Sequence, residues 1–334
     1  MAMDLDSRIF VAGHRGLAGS AVLRRLQKEG FRHLFTAPSS ILDLRRQKDV
    51  QIFFNETRPE FVFMCAATVG GAEDNLQRPG AYLYDNLMMQ ANVINAAQAS
   101  GTQKLLLIGS SYLYPAQAQQ PMVEDALLTG SFEPVKEFYS LSKVVGIKLC
   151  EAFKRQMDLN FFSVMPPNLY GPGDKYDTRS AHVIAALLRR FHEAKEKGTQ
   201  EVVIWGSGSA LREFLHVDDL ADACVFLMKN FNPESFPDNL GMPWINCGSG
   251  EEISIRDLAQ LIQKIVGYTG KIIFDPTRPE GAPRRLLDSS RLRRLGWQPT
   301  KDLRKGLEEV YQNFFLADYA RSLEREARKS SAAS

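Results

Sequence analysis

Cysteine is scarce in this chain of 334 residues, and its pattern excludes two kinds of stabilising site. The four cysteines are far apart, and each lies within an apolar stretch. They lack the close spacing that is typical of a zinc site or of a disulfide framework. We therefore expect reduced, buried thiols, no metal and a cytoplasmic location. The four are Cys65, Cys150, Cys224 and Cys247.

Long apolar runs and an excess of charge are also absent. No run approaches the roughly 18 apolar residues that a membrane span needs, and residues 1–7 lack the apolar core of a signal peptide. The 41 basic and 39 acidic residues nearly cancel, which leaves a net charge of +2. This balance argues against binding to nucleic acid or to a membrane. The apolar fraction of 44% is sufficient for a sizeable core.

Apolar strands alternate with helices in the first half of the chain. This order predicts βαβ units and a parallel sheet. The predicted strands are 8–12, 33–36, 61–67, 104–109 and 160–165. A first predicted helix begins at Leu17, and three more cover 50–55, 85–100 and 138–157. Beyond Pro166 the pattern weakens, with helices at 181–197, 218–227, 253–266 and 303–315 and a strand at 201–205.

The predicted fold class is α/β, with a Rossmann-like doubly wound parallel sheet and a smaller C-terminal α/β substrate lobe. We expect a dinucleotide-binding domain at 1–170 with a return segment at about 213–248. The substrate domain would comprise 171–212 and 249–320. The charged and then small polar segment 321–334 is expected to be a flexible tail.

A glycine loop joins the first strand to the first helix. Gly13, Gly16 and Gly19 have the spacing that permits a tight turn and a close approach of the backbone to a pyrophosphate. The helix N-terminus then offers free N–H groups to the phosphates. Segment 36–40, where NAD enzymes usually carry an acidic residue, has none, and Arg15 could meet a 2′-phosphate. The sequence therefore favours NADP(H), with Asp43 serving the loop or the adenine.

Tyr139 and Lys143 are four residues apart at the start of a predicted helix and share one face. A lysine ammonium near a tyrosine lowers the phenol pKa from about 10 toward neutrality. The tyrosine can then exchange a proton with a carbonyl–alcohol pair. Ser110, at the end of the fourth strand, would hydrogen-bond the same oxygen.

The order of glycine loop, strand-end serine and Tyr-x-x-x-Lys pair resembles the extended short-chain dehydrogenase/reductase family. Longer segments are similar to the GDP-L-fucose synthase family, a group of GDP-4-keto-6-deoxymannose epimerase–reductases. The resemblance runs over nearly the whole chain. It is carried by AGHRGLAGS from Ala12, GSSYLYP from Gly109, SVMPPNLYGP from Ser163, HVIAALLRRFHEA from His182, WGSG from Trp205, REFLHVDD from Arg212 and RRLLD from Arg284.

The resemblance implies reduction of the C4 ketone of a GDP-linked sugar by NADPH, with Tyr139 as proton donor and Lys143 on the nicotinamide ribose. It also implies a homodimer formed through helices 85–100 and 138–157. The implied cofactor contacts are Gly13, His14, Arg15, Gly16, Leu17, Gly19, Ser39, Asp43, Ile108, Gly109, Lys143, Pro166, Asn168, Leu169 and His182. The implied substrate contacts are Asn168, Val183, Arg190, Trp205, Arg212, Glu280 and Arg285.

Two positions depart from the family pattern. The family inverts C3 and C5 with a cysteine and a histidine; His182 matches the histidine, but Tyr112 stands at the cysteine position. Ser39 stands where the family tends to have a basic residue for the 2′-phosphate. Three functions remain open: a bifunctional epimerase–reductase, a GDP-4-keto-sugar reductase without epimerase activity, and a non-catalytic dinucleotide sensor.

Overall fold

The computed structural model describes residues 3–178, 181–232, 242–278 and 281–333. Most predicted elements are present, with ends that differ by a few residues. The strands are β1 (Arg8–Ala12), β2 (His33–Phe35), β3 (Phe61–Met64), β4 (Lys104–Ile108), β5 (Asn160–Met165), β6 (Asn168–Tyr170), β7 (Glu201–Trp205), β8 (Leu211–His216), β9 (Trp244–Asn246), β10 (Glu252–Ser254), β11 (Lys271–Asp275) and β12 (Arg284–Arg285). The α-helices are α1 (Leu17–Lys28), α2 (Gln47–Thr57), α3 (Ala72–Gln77), α4 (Pro79–Ala99), α5 (Glu137–Met157), α6 (Val183–Lys197), α7 (Val217–Asn230), α8 (Ile255–Val266), α9 (Ser290–Arg294), α10 (Leu303–Asn313) and α11 (Phe315–Ala333).

A six-stranded parallel sheet with the order β2-β1-β3-β4-β5-β9 forms the larger lobe. Alternate residues of β1 enter different cores. Ile9 and Val11 pack in the core beneath α1 and α7, whereas Phe10 packs in the core beneath α2, α4 and α5. Helices therefore cover both faces of the sheet, which explains the unbroken apolar strands. The predicted doubly wound Rossmann-like sheet is confirmed.

The smaller lobe has its own core and two short sheets. The strands β10, β8 and β12 form one sheet, with β6 paired to β8, and β11 pairs with β7. Apolar side chains of α6, α8, α10 and α11 pack together around Phe191, Leu258 and Phe315. The chain returns to the larger lobe between these elements, because α7 packs on α1 and β9 completes the main sheet. The exact domain limits stay a prediction.

The C-terminal segment, where the sequence predicts a flexible tail, continues the last helix of the chain. It is helical as part of α11, up to Ala333. Ser322 is buried there, and its hydroxyl accepts a hydrogen bond from the Tyr176 amide at 2.9 Å. Small polar residues suggested a frayed end, but this contact with the smaller lobe anchors the first turns of the helix. Within the described ranges, no helix is long and apolar enough to cross a membrane.

Candidate active site

The glycine loop between β1 and α1 is too tight for side chains. Gly13 has φ +82°, and a Cβ placed on it would lie 2.6 Å from the Ala66 amide nitrogen. A Cβ on Gly19 would collide with the Gly13 carbonyl, which also accepts the Gly16 N–H at 2.9 Å. The first turn of α1, which starts at Leu17, holds no acidic residue. Its N–H groups and partial positive charge therefore suit a diphosphate.

Polar side chains in and near this loop fit a phosphorylated dinucleotide. The buried Nδ1 of His14 has no hydrogen-bond partner among the described residues, and burial, with help from the Arg15 charge, lowers the His14 pKa. Arg15 is exposed and forms no hydrogen bond or ion pair with the described part of the chain. Ser39, after β2, is also exposed. The loop thus offers the Arg15 guanidinium, which has no protein partner among the described residues, to bind a 2′-phosphate.

Asp43 is committed to neighbouring basic side chains. Its carboxylate accepts hydrogen bonds from Arg45 at 2.9 and 2.8 Å, and this hydrogen bonding lowers the Asp43 pKa. Arg45 also reaches Asp85 on α4 at 3.1 Å. Asp43 therefore orders the segment after β2, and its contact with the adenine part of the cofactor stays a prediction.

The carboxyl ends of β4 and β5 form the floor of the site. The Gly109 amide donates to the Val164 carbonyl at 2.7 Å, and a Cβ on Gly109 would lie 3.1 Å from the same oxygen. The Ser111 amide donates to the Pro166 carbonyl at 2.8 Å. Ligands of open α/β sheets bind at this edge. The predicted contacts Ile108, Gly109, Pro166, Asn168 and Leu169 all lie along it.

Ser110 lies close to Tyr139 at this edge. Burial raises the pKa of Tyr139 to about 12, and the hydrogen bond from Ser110 opposes this rise. Ser110 Oγ also accepts the Tyr112 N–H at 3.2 Å, which fixes the hydroxyl at the start of a short 3₁₀ turn. The phenol is therefore protonated at neutral pH and suited to donate its proton to a substrate oxygen.

Lys143 lies one helical turn after Tyr139 and is 2% exposed. Burial lowers its pKa to about 8, while the thiols of Cys65 and Cys150 act in the opposite direction. Its ammonium has no hydrogen bond or ion pair within the described chain. The expected lowering of the Tyr139 pKa by Lys143 is therefore wrong, because burial raises that pKa and only Ser110 opposes the rise. The buried ammonium is left for a ligand such as a ribose hydroxyl.

Tyr112 lies between two cations. The Lys136 Nζ is 5.7 Å from the ring centroid, and the Arg285 Cζ is 4.7 Å from it. Ser140 on α5 donates a hydrogen bond to the Tyr112 carbonyl at 2.9 Å. Both cations are within the range of cation–π attraction. The aromatic ring is therefore held in a fixed place beside the hydroxyl of Tyr139.

Arg285, which the resemblance assigns to substrate, has protein partners instead. Its Nη2 pairs with Glu133 at 3.1 Å, and its Nη1 donates to the Ser111 carbonyl at 3.1 Å. The side chain is only 2% exposed. This arrangement favours a role in positioning Tyr112 and the 110–113 turn over direct contact with a diphosphate. The sequence did not indicate this positioning role because Glu133 and Arg285 are distant in the chain.

His182 is neutral in this site. Burial, with the charges of Lys136 and Lys175, lowers its pKa to about 4 against the opposing charge of Asp177. Lys136 therefore acts on both His182 and Tyr112. The sequence analysis did not select Lys136 as a site residue. Its position three residues before Tyr139 was the one sequence feature that could have indicated it.

The remaining substrate-contact candidates lie mostly in the smaller lobe. Arg190 on α6 is exposed, and its Nη1 donates to the Val203 carbonyl of β7 at 3.3 Å. Trp205, two residues along β7 from Val203, is 44% exposed and has the Arg278 Cζ 5.4 Å from its ring centroid. An exposed indole and an arginine on adjacent elements suit a base and a diphosphate.

Three further candidates have different surroundings. Val183 is half-buried at the first residue of α6, and Asn168 donates through Nδ2 to the Glu213 carbonyl at 3.3 Å. Arg212 is buried on β8, where its Nη1 donates to the Leu211 carbonyl at 2.9 Å. The prediction for Glu280 falls outside the described residues.

A Rossmann-like sheet with a glycine loop, a Ser–Tyr pair and a buried lysine defines a dinucleotide-dependent enzyme of the short-chain dehydrogenase/reductase type. Residues 9–239 match the model of the NAD dependent epimerase/dehydratase family. The chain is 50% identical over 308 residues to GDP-L-fucose synthase 1 of Arabidopsis thaliana, covering 92% of this chain and 93% of the relative. It therefore belongs to the NAD dependent epimerase/dehydratase family and, within it, to the GDP-L-fucose synthase family, which confirms the resemblance noted in the sequence.

Solved structures of related reductases have the same fold. A GDP-6-OMe-4-keto-L-xylo-heptose reductase from C. jejuni is 34% identical, with a TM-score of 0.89 over 93% of this chain and 98% of that one. A GDP-mannoheptose C4 reductase from Campylobacter jejuni with NADP bound is 35% identical, with a TM-score of 0.84 over 93% and 98% of the two chains.

Proposed function

We propose that this enzyme uses NADPH to reduce the C4 ketone of a GDP-linked 4-keto-6-deoxy sugar and also epimerises C3 and C5, the activity of a GDP-L-fucose synthase. The observation that carries the proposal is the placement of Ser110 next to Tyr139 at the edge of the sheet that also carries the glycine loop. It provides a proton donor and a second hydrogen-bonding group for one substrate oxygen. The relative at 50% identity supports the choice of sugar nucleotide.

Each group in the site has a distinct task in this reaction. Tyr139 donates its proton to the C4 oxygen, and Ser110 stabilises the negative charge that develops there. Lys143 holds the nicotinamide ribose with its otherwise unpartnered ammonium. The N-terminus of α1 holds the diphosphate, and Arg15 holds the 2′-phosphate of NADP. The reduced nicotinamide, when bound, supplies the hydride.

The GDP moiety would bind against the smaller lobe. Arg190 and Arg212 suit the diphosphate because a guanidinium presents paired donors, and Trp205 offers a stacking face to guanine. Val183 and Asn168 would line the sugar side, with Glu280 assigned by resemblance alone.

A second candidate function is reduction of a GDP-4-keto sugar without epimerisation. Tyr112 favours it because, as the resemblance implies, this phenol stands where the family has the cysteine that acts in epimerisation. The fold similarity to C4 reductases also supports it. The complete set of Ser110, Tyr139 and Lys143 counts against a non-catalytic dinucleotide sensor.

Incubation of the purified protein with GDP-4-keto-6-deoxymannose and NADPH separates these candidates, with the product configuration determined by NMR. GDP-L-fucose is expected, with one NADPH consumed per product. A C4-reduced sugar with unchanged C3 and C5 would establish the second candidate. Absence of NADPH consumption would exclude both reductase functions.

A homodimer and a cytoplasmic location complete the proposal. Phe138, Leu141 and Val145 form an exposed apolar stripe on α5, and Tyr84 is exposed on the adjacent α4. A second copy of the same face would cover this stripe, as the family resemblance implies. The four cysteines are free, which suits a reducing compartment.

A further inference from the structure

Lys136 lies beside the reacting groups, yet hydride transfer and protonation of the C4 oxygen give it no task. It precedes Tyr139 by three residues, immediately before α5, and its Nζ lies 5.7 Å from the ring centroid of Tyr112. Its charge also acts on the imidazole of His182. The ammonium therefore lies close to groups from two separate segments, the turn after β4 and the start of α6, that converge on the sugar end of the site.

The Lys136 ammonium has unused hydrogen-bonding capacity. One of its hydrogens is donated to the Gly70 carbonyl at 2.7 Å, and the other two have no acceptor within the described ranges. The carboxylates of Glu133 and Asp74 act on its charge from a distance, since the described part of the chain shows no ion pair between either of them and Lys136. Two N–H groups are thus left for a ligand, while the bond to Gly70 fixes the nitrogen in place.

We infer that the amine of Lys136 contacts the keto sugar and exchanges protons with a carbon adjacent to C4, as a further catalytic residue of the epimerase step. The inference rests on the proposed function, because it requires a 4-keto sugar between Tyr139 and Tyr112. It adds a residue that the family resemblance does not assign.

The proton transfer is balanced without any further reactant. Neutral Lys136 removes a proton from the carbon beside the ketone, so that an N–H bond forms and a C–H bond breaks. The electron pair enters a C=C bond of an enolate, and the negative charge moves to the C4 oxygen. Tyr139 and Ser110 are placed to stabilise that oxygen. A proton delivered from water to the opposite face inverts the carbon, and Lys136 then releases the proton that it took to solvent. Return of a solvent-exchanged proton from Lys136 to the same face exchanges the hydrogen without inversion.

The surroundings of Lys136 suit this task better than those of His182. Burial lowers the pKa of Lys136 to about 8, although Glu133 and Asp74 oppose the shift. Both protonation states are therefore present near neutral pH, the condition under which an acid–base group is most effective. Burial and the two nearby lysines lower the pKa of His182 to about 4, so it carries little of the proton-donating form.

Deuterium exchange tests the inference. The NADP⁺-loaded enzyme is incubated with GDP-4-keto-6-deoxymannose in D₂O, and deuterium incorporated beside C4 is measured by mass spectrometry. Lys136→Met should lower the exchange rate by roughly 10²-fold or more, the usual contribution of an acid–base group. Lys136→Arg should lower it equally, because it keeps the charge but does not release a proton near neutral pH. Lys175→Met, which removes the other lysine near His182, is the matched control and should exchange at the wild-type rate.

Reduction is measured separately, as NADPH consumption with the same sugar nucleotide. Both Lys136 variants should still bind NADPH with the wild-type affinity, measured by fluorescence titration, which shows that they are folded. Exchange by Lys136→Arg at the wild-type rate would mean that only charge matters, and the inference would be wrong. Reduction by the wild type without exchange would also overturn it, and so would loss of NADPH binding in both variants, because Lys136 would then be a structural residue. Failure of the wild type to consume NADPH would instead contradict the proposed function.

Discussion

The guanidinium of Arg285 stacks on the ring of Tyr112, with Cζ 4.7 Å from the ring centroid, while its Nη2 pairs with Glu133 at 3.1 Å. One buried arginine thus joins β12, the turn after β4 and the segment before α5. These three segments surround the reacting groups, so the contact gives Arg285 a structural task at the site. Contact with the substrate diphosphate, which the resemblance implies, and pairing with Glu133, which the structure shows, predict different effects of replacing Arg285.

Replacement of Arg285 by Met should destabilise the protein. It leaves the Glu133 carboxylate and the Ser111 carbonyl without their donor, and loss of one partner of a buried ion pair typically costs about 3–5 kcal/mol. We expect the free energy of unfolding, measured in urea, to fall by about 3 kcal/mol. Arg284→Met is the control, because Arg284 pairs with Glu252 at 2.8 Å in a partly exposed bridge and should cost less than about 1 kcal/mol. Unchanged stability with a raised KM for the sugar nucleotide would favour the diphosphate role.

Tyr139→Phe should lower kcat for ketone reduction by about 10²–10⁴-fold, because it removes only the hydroxyl that donates the proton. NADPH affinity, measured by fluorescence titration, should be unchanged. Tyr84→Phe makes the same chemical change on an exposed part of α4 and should be neutral. Wild-type turnover by the Tyr139→Phe enzyme would show that another group protonates the C4 oxygen.

Arg15→Ala should lower kcat/KM for NADPH by about tenfold or more, the contribution typical of a charge-assisted hydrogen bond, and leave the value for NADH unchanged. The side chain is exposed and has no partner of its own within the described residues, so its removal should not affect folding. Arg24→Ala, on the adjoining helix α1 and paired with Asp218 at 2.8 Å, is the control. An equal loss with both cofactors would assign Arg15 to the diphosphate instead.

The sheet and the glycine loop could be predicted because their signals are local. An apolar run such as Phe61–Met64 is buried in the middle of the sheet, and Gly13 has the positive φ that its place in a tight turn demands. The Tyr139–Lys143 spacing likewise follows from a single helix. The local sequence pattern was sufficient to predict a feature wherever a single helix, strand or turn determines its geometry.

The environment of Tyr112 could not be predicted because it depends on distant segments. Lys136, Glu133 and Arg285 meet there only after β12 pairs with β8, and a two-residue strand has no sequence periodicity. The three-residue strand Trp244–Asn246 was missed for the same reason. The helical C-terminus was missed because its contact with Tyr176 lies far back in the chain.

Asp174 should make the protein less stable as the pH rises. Burial raises its folded pKa to about 7 from an ordinary value of 3.8, with Asp318 and Asp177 adding to the rise. The folded state therefore holds a proton that the unfolded state has released between about pH 4 and 7. Its contribution to stability is complete below that window and is lost across it, at up to about 1.4 kcal/mol for each unit of the shift.

Asp174→Asn tests this dependence. The variant should lose much of the decline in unfolding free energy between pH 5 and 7 that the wild type shows in urea titrations at several pH values. Asp158→Asn is the matched control, because that side chain is exposed beyond the end of α5 and should leave the profile unchanged. Parallel profiles for wild type and Asp174→Asn would show that Asp174 is ionised throughout in the folded protein.

The apolar stripe on α5 predicts the last outcome. Phe138, Leu141 and Val145 recur at helical spacing on one exposed face, and Val145 is 40% exposed. A buried charge at the centre of a two-fold interface would face its own copy, so Val145→Asp should dissociate the dimer. Light scattering should give twice 37.5 kDa for the wild type and 37.5 kDa for the variant. Leu316→Asp, at an exposed leucine on α11, should remain dimeric. A dimeric Val145→Asp protein would place the interface elsewhere, and a monomeric wild type would exclude the dimer altogether.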